Sequence, residues 1–197
     1  MAMASMSNGT APTPFNLRYV LMYANNNHSE YSMQPGVFEE ANLQRLDFVL
    51  DYGARVGLRF TLALVNGWPD YGGRLWYVRT LVGPDASEDE FYTNPATRAA
   101  YKQWVRLTVA AAWRATLVDT LQVTYLLTRR NVYNGRRYAD DPAIFSLNLC
   151  NEPTASPGLD ASRGVPPGAT IAAWVGEMAA HVKSIDSNHL LSVGDVR

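Results

Sequence analysis

Cysteine is all but absent from this chain. Cys150 stands alone among 197 residues, which excludes an internal disulfide framework. Its place in an apolar run suits a small core residue better than a reactive thiol. Histidine is scarce as well: His28, His181 and His189 are widely separated and form no metal-ligand spacing. An excess of one charge is also missing. With a formal net charge of −1, nucleic acid and anionic membrane are not expected as main partners. Residues 1–14 are small and polar. They have no charged segment leading into a continuous apolar core, so no secretory signal is legible there, and they read as a flexible lead-in. One stretch, 107–117, is apolar enough to suggest a membrane span. Arg114, Asp119 and Gln122 in and after it argue against that.

What the chain does contain is an alternation of two periodicities. Val37, Leu43, Leu46, Val49 and Leu50 recur at helical intervals over 36–52. Residues 58–65 then alternate as a strand and end in Asn66-Gly67-Trp68-Pro69-Asp70-Tyr71-Gly72-Gly73, a loop by composition. A helix is expected from about Pro95, capped by Asn94. The run 144–150 has the length and bounding of a buried strand. A Pro/Gly/Ser-rich loop over 154–168 leads to a helix over 169–184 and a last strand over 190–193, while 15–24 offers one earlier strand. Strand, helix, strand in succession indicates a parallel α/β arrangement. A closed (β/α)8 barrel takes about 250 residues, so the expected fold is an incomplete TIM-type barrel over 15–197.

The strand at 144–150 ends abruptly on Asn151-Glu152-Pro153. In a parallel barrel that end of the strands carries the chemistry. Three residues alone are a weak pattern, but the flanks are specific. Asp140-Asp141-Pro142-Ala143-Ile144-Phe145 precedes them, and Lys183-Ser184-Ile185-Asp186-Ser187-Asn188-His189-Leu190-Leu191 follows. With Leu64-Val65-Asn66-Gly67-Trp68-Pro69-Asp70-Tyr71-Gly72-Gly73 and Phe91-Tyr92-Thr93-Asn94-Pro95 upstream, the chain resembles plant and algal endo-β-1,4-mannanases of glycoside hydrolase family 5. The resemblance runs from about Pro35 to Gly194 and places the chain at roughly strands 2 to 5 of the family's barrel.

That resemblance implies a site. Glu152 would be the general acid and then the general base of a retaining hydrolysis of β-1,4 links in mannan, galactomannan or glucomannan. Asn151 would hold the 2-hydroxyl of the sugar and align Glu152. A glutamate capping the next loop and an asparagine forming a turn are the competing readings. Trp68, Tyr71 and Trp76 could stack on sugar rings, with Asn66 and Asp70 bonding hydroxyls, or could simply fold onto the barrel. Trp104 and Trp174 lie on helices and read as core, Glu177 as solvated, and His189 as a packing residue before the last strand. The retaining mechanism needs a second carboxylate about 5–5.5 Å from the first, and because two carboxylates suffice the resemblance implies no metal and no organic cofactor. The family carries it on its seventh strand, which has no counterpart here, so the chain by itself is expected to be inactive. Two departures stand near the site: Leu147-Asn148-Leu149-Cys150 replaces the family's usual Trp-Glu-Leu-Met, and Thr154 stands where an Arg is common.

The segment 107–126 fits the family badly and reads either as a longer or inserted helix or as translated non-coding sequence. Half a barrel would leave strand edges unpaired and an apolar face open, which a homodimer could cover. The resemblance implies an extracellular enzyme acting on a β-mannan polysaccharide. A related β-1,4-glucanase and a non-catalytic carbohydrate-binding remnant are the alternatives.

Overall fold

The computed structural model describes residues 19–23, 40–70, 73–105 and 126–194, with the backbone alone at 19–23 and 103–105. The helical spacing over 36–52 becomes α1 (Glu40–Arg55), which buries Leu43, Leu46 and Leu50 on one face, the stripe expected of a helix lying on a core. Four strands follow one another in space as in sequence: β1 (Tyr19–Tyr23), β2 (Arg59–Ala63), β3 (Ile144–Asn148) and β4 (Leu190–Ser192). Every neighbouring pair is parallel. Such pairing requires a long crossover between strands, and helices lie in each connection. This is an α/β fold with the arrangement of part of a (β/α)8 barrel.

Strand alternation decides which residues meet the helices. Leu62 lies level with Leu147, and Leu147 with Leu191, and all three belong to the apolar core. The next row, Thr61, Ser146 and Leu190, points to the opposite face. There the Thr61 and Ser146 hydroxyls bond each other at 2.7 Å, and Leu190 is 58% exposed. Among the described residues the sheet edges are β1 and β4.

The remaining helices are α2 (Arg74–Leu81), α3 (Glu90–Thr93), α4 (Pro95–Val105), α5 (Leu159–Ser162) and α6 (Ala169–Lys183). Asn94 Oδ1 accepts the Ala96 N–H at 2.9 Å, capping α4 as expected, with Pro95 at the first helical position. On α6, Thr170, Trp174, Met178 and Val182 form a buried stripe at four-residue spacing. Trp174 meets Phe91, Tyr92 and Tyr101 in an aromatic cluster with ring centroids 5.1–5.5 Å apart, the favourable range for such pairs. Glu177, expected to be solvated, is instead paired with Lys102 at 2.5 Å and with Arg98, joining α6 to α4. The side chain of Trp104 and the segment 106–125 lie outside the described residues. No helix among the described residues is long and apolar enough to cross a membrane.

Among the interior polar networks of the described residues, two fasten the segments that enter β3 and β4. Arg129 forms a fork with Asp47 on α1, at 2.9 and 2.5 Å, and reaches Glu40 as well. Tyr138 donates to the same Asp47 carboxylate at 2.7 Å. The second network is the packing role expected of His189. Its Nδ1 faces Asp186 Oδ2 at 2.6 Å and its Nε2 the Asp141 carbonyl at 3.0 Å, so both ring nitrogens have acceptors, as an imidazolium requires. Burial opposes charge on His189, but the Asp186 carboxylate outweighs it and raises the ring above its ordinary value. Burial likewise opposes ionisation of Asp186, yet the His189 contacts hold its carboxyl below the usual range.

Removing Asp47 leaves the buried Arg129 guanidinium with the partly exposed Glu40 as its carboxylate and takes the acceptor from Tyr138, so Asp47→Ala is expected to cost about 3 kcal/mol in urea denaturation. The His189 contribution to stability is full below about pH 6.5 and fades as pH rises through its raised folded value, while that of Asp186 is full above about pH 4 and fades as pH falls through its lowered one. Unfolding free energy should therefore decline as pH rises above about 6.5 through that raised value, by a component that His189→Gln abolishes.

Candidate active site

Pairing of β2 with β3 continues past their formal ends. Leu64 N–H donates to Asn148 O at 2.8 Å, Asn151 N–H to Val65 O at 3.0 Å, and Gly67 N–H to Asn151 O at 2.7 Å. Asn66 and Asn151 face each other in a parallel bridge at the carboxyl ends of the strands. This approach leaves no space for a side chain at Gly67, where a Cβ would overlap the carbonyl oxygens of Asn151 and Glu152. On the other side, Gly194 N–H donates to Cys150 O at 2.9 Å, and a Cβ there would crowd Glu152 N. Between these two glycines Glu152 adopts φ +49°, the left-handed region, alone among the described non-glycine residues. Such a conformation costs on the order of 1–3 kcal/mol and persists only where the surroundings enforce it.

The side chain of Glu152 receives the Trp68 indole N–H on Oε2 at 2.6 Å. Trp68 is 53% exposed, so its ring remains accessible while its polar edge is engaged. Asn151 Nδ2 donates to Asn66 Oδ1 at 3.1 Å, and Asn66 Nδ2 donates to the Asp70 carbonyl at 3.2 Å. Four of the residues singled out from sequence, Asn66, Trp68, Asn151 and Glu152, are thus brought together, with the exposed Asp70 at the margin through its backbone. Trp76 lies on α2, partly buried, with its ring edge-on to Tyr77 at 5.1 Å. Tyr71 lies outside the described residues. Cys150 is fully buried, and burial pushes its thiol up to about 12, in keeping with its reading as a core residue.

Three supporting residues went unnoticed as site residues in the sequence. Arg74, the first residue of α2, sends a buried guanidinium to Gly67 O (2.9 Å), Thr154 O (2.5 Å) and Thr154 Oγ1 (2.7 Å). Asn148, at the end of β3, accepts the Cys150 and Gly194 N–H groups on Oδ1 at 3.1 and 3.2 Å. Tyr101 on α4 donates to Leu149 O at 2.8 Å. The Gly-Gly before Arg74 marks a loop opening a helix, where a surface arginine is the ordinary expectation; nothing local indicates that the side chain turns inward. For Asn148 the only signal was a departure from the usual family residue.

The family described as GH family 5 β-mannosidase-like matches residues 8–196. Mannan endo-1,4-β-mannosidase 1 of Arabidopsis thaliana is 39% identical over 162 residues, 82% of this chain and 33% of that protein. Mannan endo-1,4-β-mannosidase 1 of Oryza sativa subsp. japonica is 37% identical over 165 residues, 82% of this chain and 32% of its own length. The chain thus spans about a third of these curated relatives. Among solved structures, the endo-β-1,4-mannanase of Thermotoga petrophila superimposes with a TM-score of 0.70 at 28% identity, covering 90% of this chain and 36% of that one. The endo-1,4-β-mannanase of Rhizomucor miehei gives 0.67 at 27% identity, covering 91% and 48%.

The close approach at Gly67 predicts that Gly67→Ala destabilises the fold by about 1–3 kcal/mol or more. Gly176→Ala is the control. That position lies on α6 with open space around it, and the exchange there should stabilise by roughly 0.5–1 kcal/mol. Urea denaturation of both variants reads the difference.

Proposed function

The chain belongs to the glycoside hydrolase family 5 β-mannosidase-like family, as a mannanase-like part of its catalytic barrel, and from that premise we propose that it carries the acid–base half of a mannan endo-1,4-β-mannosidase site. The observation on which this rests is the Glu152 carboxyl at the mouth of a parallel sheet, with one oxygen engaged by Trp68 and its backbone held in a rare conformation. In the proposed reaction Oε2 stays with the indole N–H and Oε1, without a hydrogen-bond partner among the described residues, carries the proton. Glu152 gives that proton to the glycosidic oxygen as the carbon–oxygen bond breaks, while a second carboxylate attacks the anomeric carbon. Glu152, now ionised, then takes a proton from the water that releases the sugar.

Asn151 bonds the 2-hydroxyl in this reading. Its amide is oriented by Asn66, whose own amide is engaged with Asn151 and the Asp70 carbonyl, so Asn66 acts through Asn151. The open face of Trp68 stacks on a sugar ring, with Asp70 and Tyr71 as further hydroxyl or ring contacts. Trp76 packs on Tyr77, which leaves the stacking to Trp68. We assign no described residue to the nucleophile, because Glu177 is engaged by Lys102 and Arg98. The mannanases among the relatives favour β-mannans, including galactomannan and glucomannan, over β-glucans, and an extracellular site of action goes with such a polymer.

Two assays test the proposal. The 197-residue chain alone should release no reducing sugar from galactomannan; activity abolished by Glu152→Gln would instead reveal a nucleophile within it. A chimera in which this chain replaces the matching third of the Arabidopsis relative should hydrolyse galactomannan, and Glu152→Gln should lower its turnover by about 10²–10⁴-fold. A folded chimera that binds the polymer without turnover would sink the enzymatic reading in favour of a binding remnant.

A further inference from the structure

We propose that Arg74 is a positioning residue that sets the contact between Trp68 and Glu152, an inference that rests on the acid–base reading of Glu152. Arg74 is 3% exposed, and a buried cation carries a large desolvation cost unless its donors are satisfied. Its one carboxylate partner among the described residues, Glu88, is partly exposed and 3.3 Å away, too weak a pair to account for the burial. The short bonds go elsewhere. Nε holds the carbonyl of Gly67, the residue before Trp68, and Nη1 and Nη2 hold the carbonyl and hydroxyl of Thr154, two residues beyond Glu152. The Arg74 N–H also binds Asn66 O at 3.0 Å, and the Tyr92 ring lies 5.3 Å from the guanidinium carbon.

These contacts close a ring. From Arg74 it runs through Gly67 to Trp68, across the 2.6 Å indole–carboxyl bond to Glu152, and through Pro153 to Thr154 and back to Arg74. A guanidinium is a planar fork of fixed dimensions, whereas an ammonium is a single point on a flexible stem. Arg74 therefore fixes the separation of the two loops that carry Trp68 and Glu152, and with it the side of the carboxyl left for the substrate. It touches neither the reacting atoms nor the sugar in this scheme.

Trp68 reports on the contact directly. Its emission is isolated as the difference between the chain and its Trp68→Phe variant. The expected result is a Glu152-dependent component of that emission, absent when the same difference is taken in Glu152→Gln. That component should be lost in Arg74→Met and not rescued by Arg74→Lys, while cooperative unfolding and the near-ultraviolet signal of the aromatic cluster persist. Thr154→Val deletes only the hydroxyl acceptor and should show a partial loss of the same kind, which keeps the test available if an Arg74 variant fails to fold. An unchanged Trp68 component in Thr154→Val and in any folded Arg74 variant would overturn the proposal, as would a component insensitive to Glu152→Gln. None of these readouts needs turnover. An inactive chimera with a Trp68 response that depends on Arg74 would reject the enzymatic reading and leave the coupling standing.

Discussion

Between the Asn66–Gly67 peptide and the Asn151–Glu152 peptide there is no volume for a side chain, and the site is organised around that backbone contact. Parallel pairing carries the two segments together beyond the ends of β2 and β3, and a glycine is what allows them to close. Once they have closed, the Glu152 peptide is confined from the other side by Gly194. A glutamate held at positive φ then projects from a rigid frame and not from a free loop. Precise placement of a proton donor needs such a frame, since catalytic geometry tolerates little displacement.

The interior supports this mouth through a few directional bonds as well as through apolar packing. Tyr101 crosses from α4 to the Leu149 carbonyl, just before Cys150, so the aromatic cluster around Trp174 is tied to the strand that delivers Glu152. Asn148 ties the same strand to Gly194 after β4. Arg129 and Asp47 serve α1 in a comparable way, fastening the helix to the chain that enters β3.

Much of the architecture was legible in the pattern of residues, for reasons that are local. The stripe over 36–52 and the four-residue spacing of Thr170, Trp174, Met178 and Val182 specify helices whatever lies beside them. The apolar run before Asn151-Glu152-Pro153 specifies a buried strand, and Asn94-Pro95 specifies a helix start. Other readings depended on partners distant in sequence and went astray or stayed open. Glu177 looks solvated on its helix until α4 brings Lys102 and Arg98 against it. Trp68 and Trp76 look alike as loop aromatics until the fold sends one to Glu152 and the other to Tyr77.

From the sequence alone came the parallel α/β class, the order of the elements and the identity of the carboxyl at the strand mouth, because periodicity, capping and turn chemistry act over a few residues. Tertiary structure alone decided which oxygen of Glu152 is engaged, which side chains orient Asn151, and that Arg74 turns inward to grip two loops. Those outcomes depend on contacts between residues some 80 positions apart. Whether such groups meet is set by how the strands align and how closely their backbones can approach, which no short stretch of sequence contains.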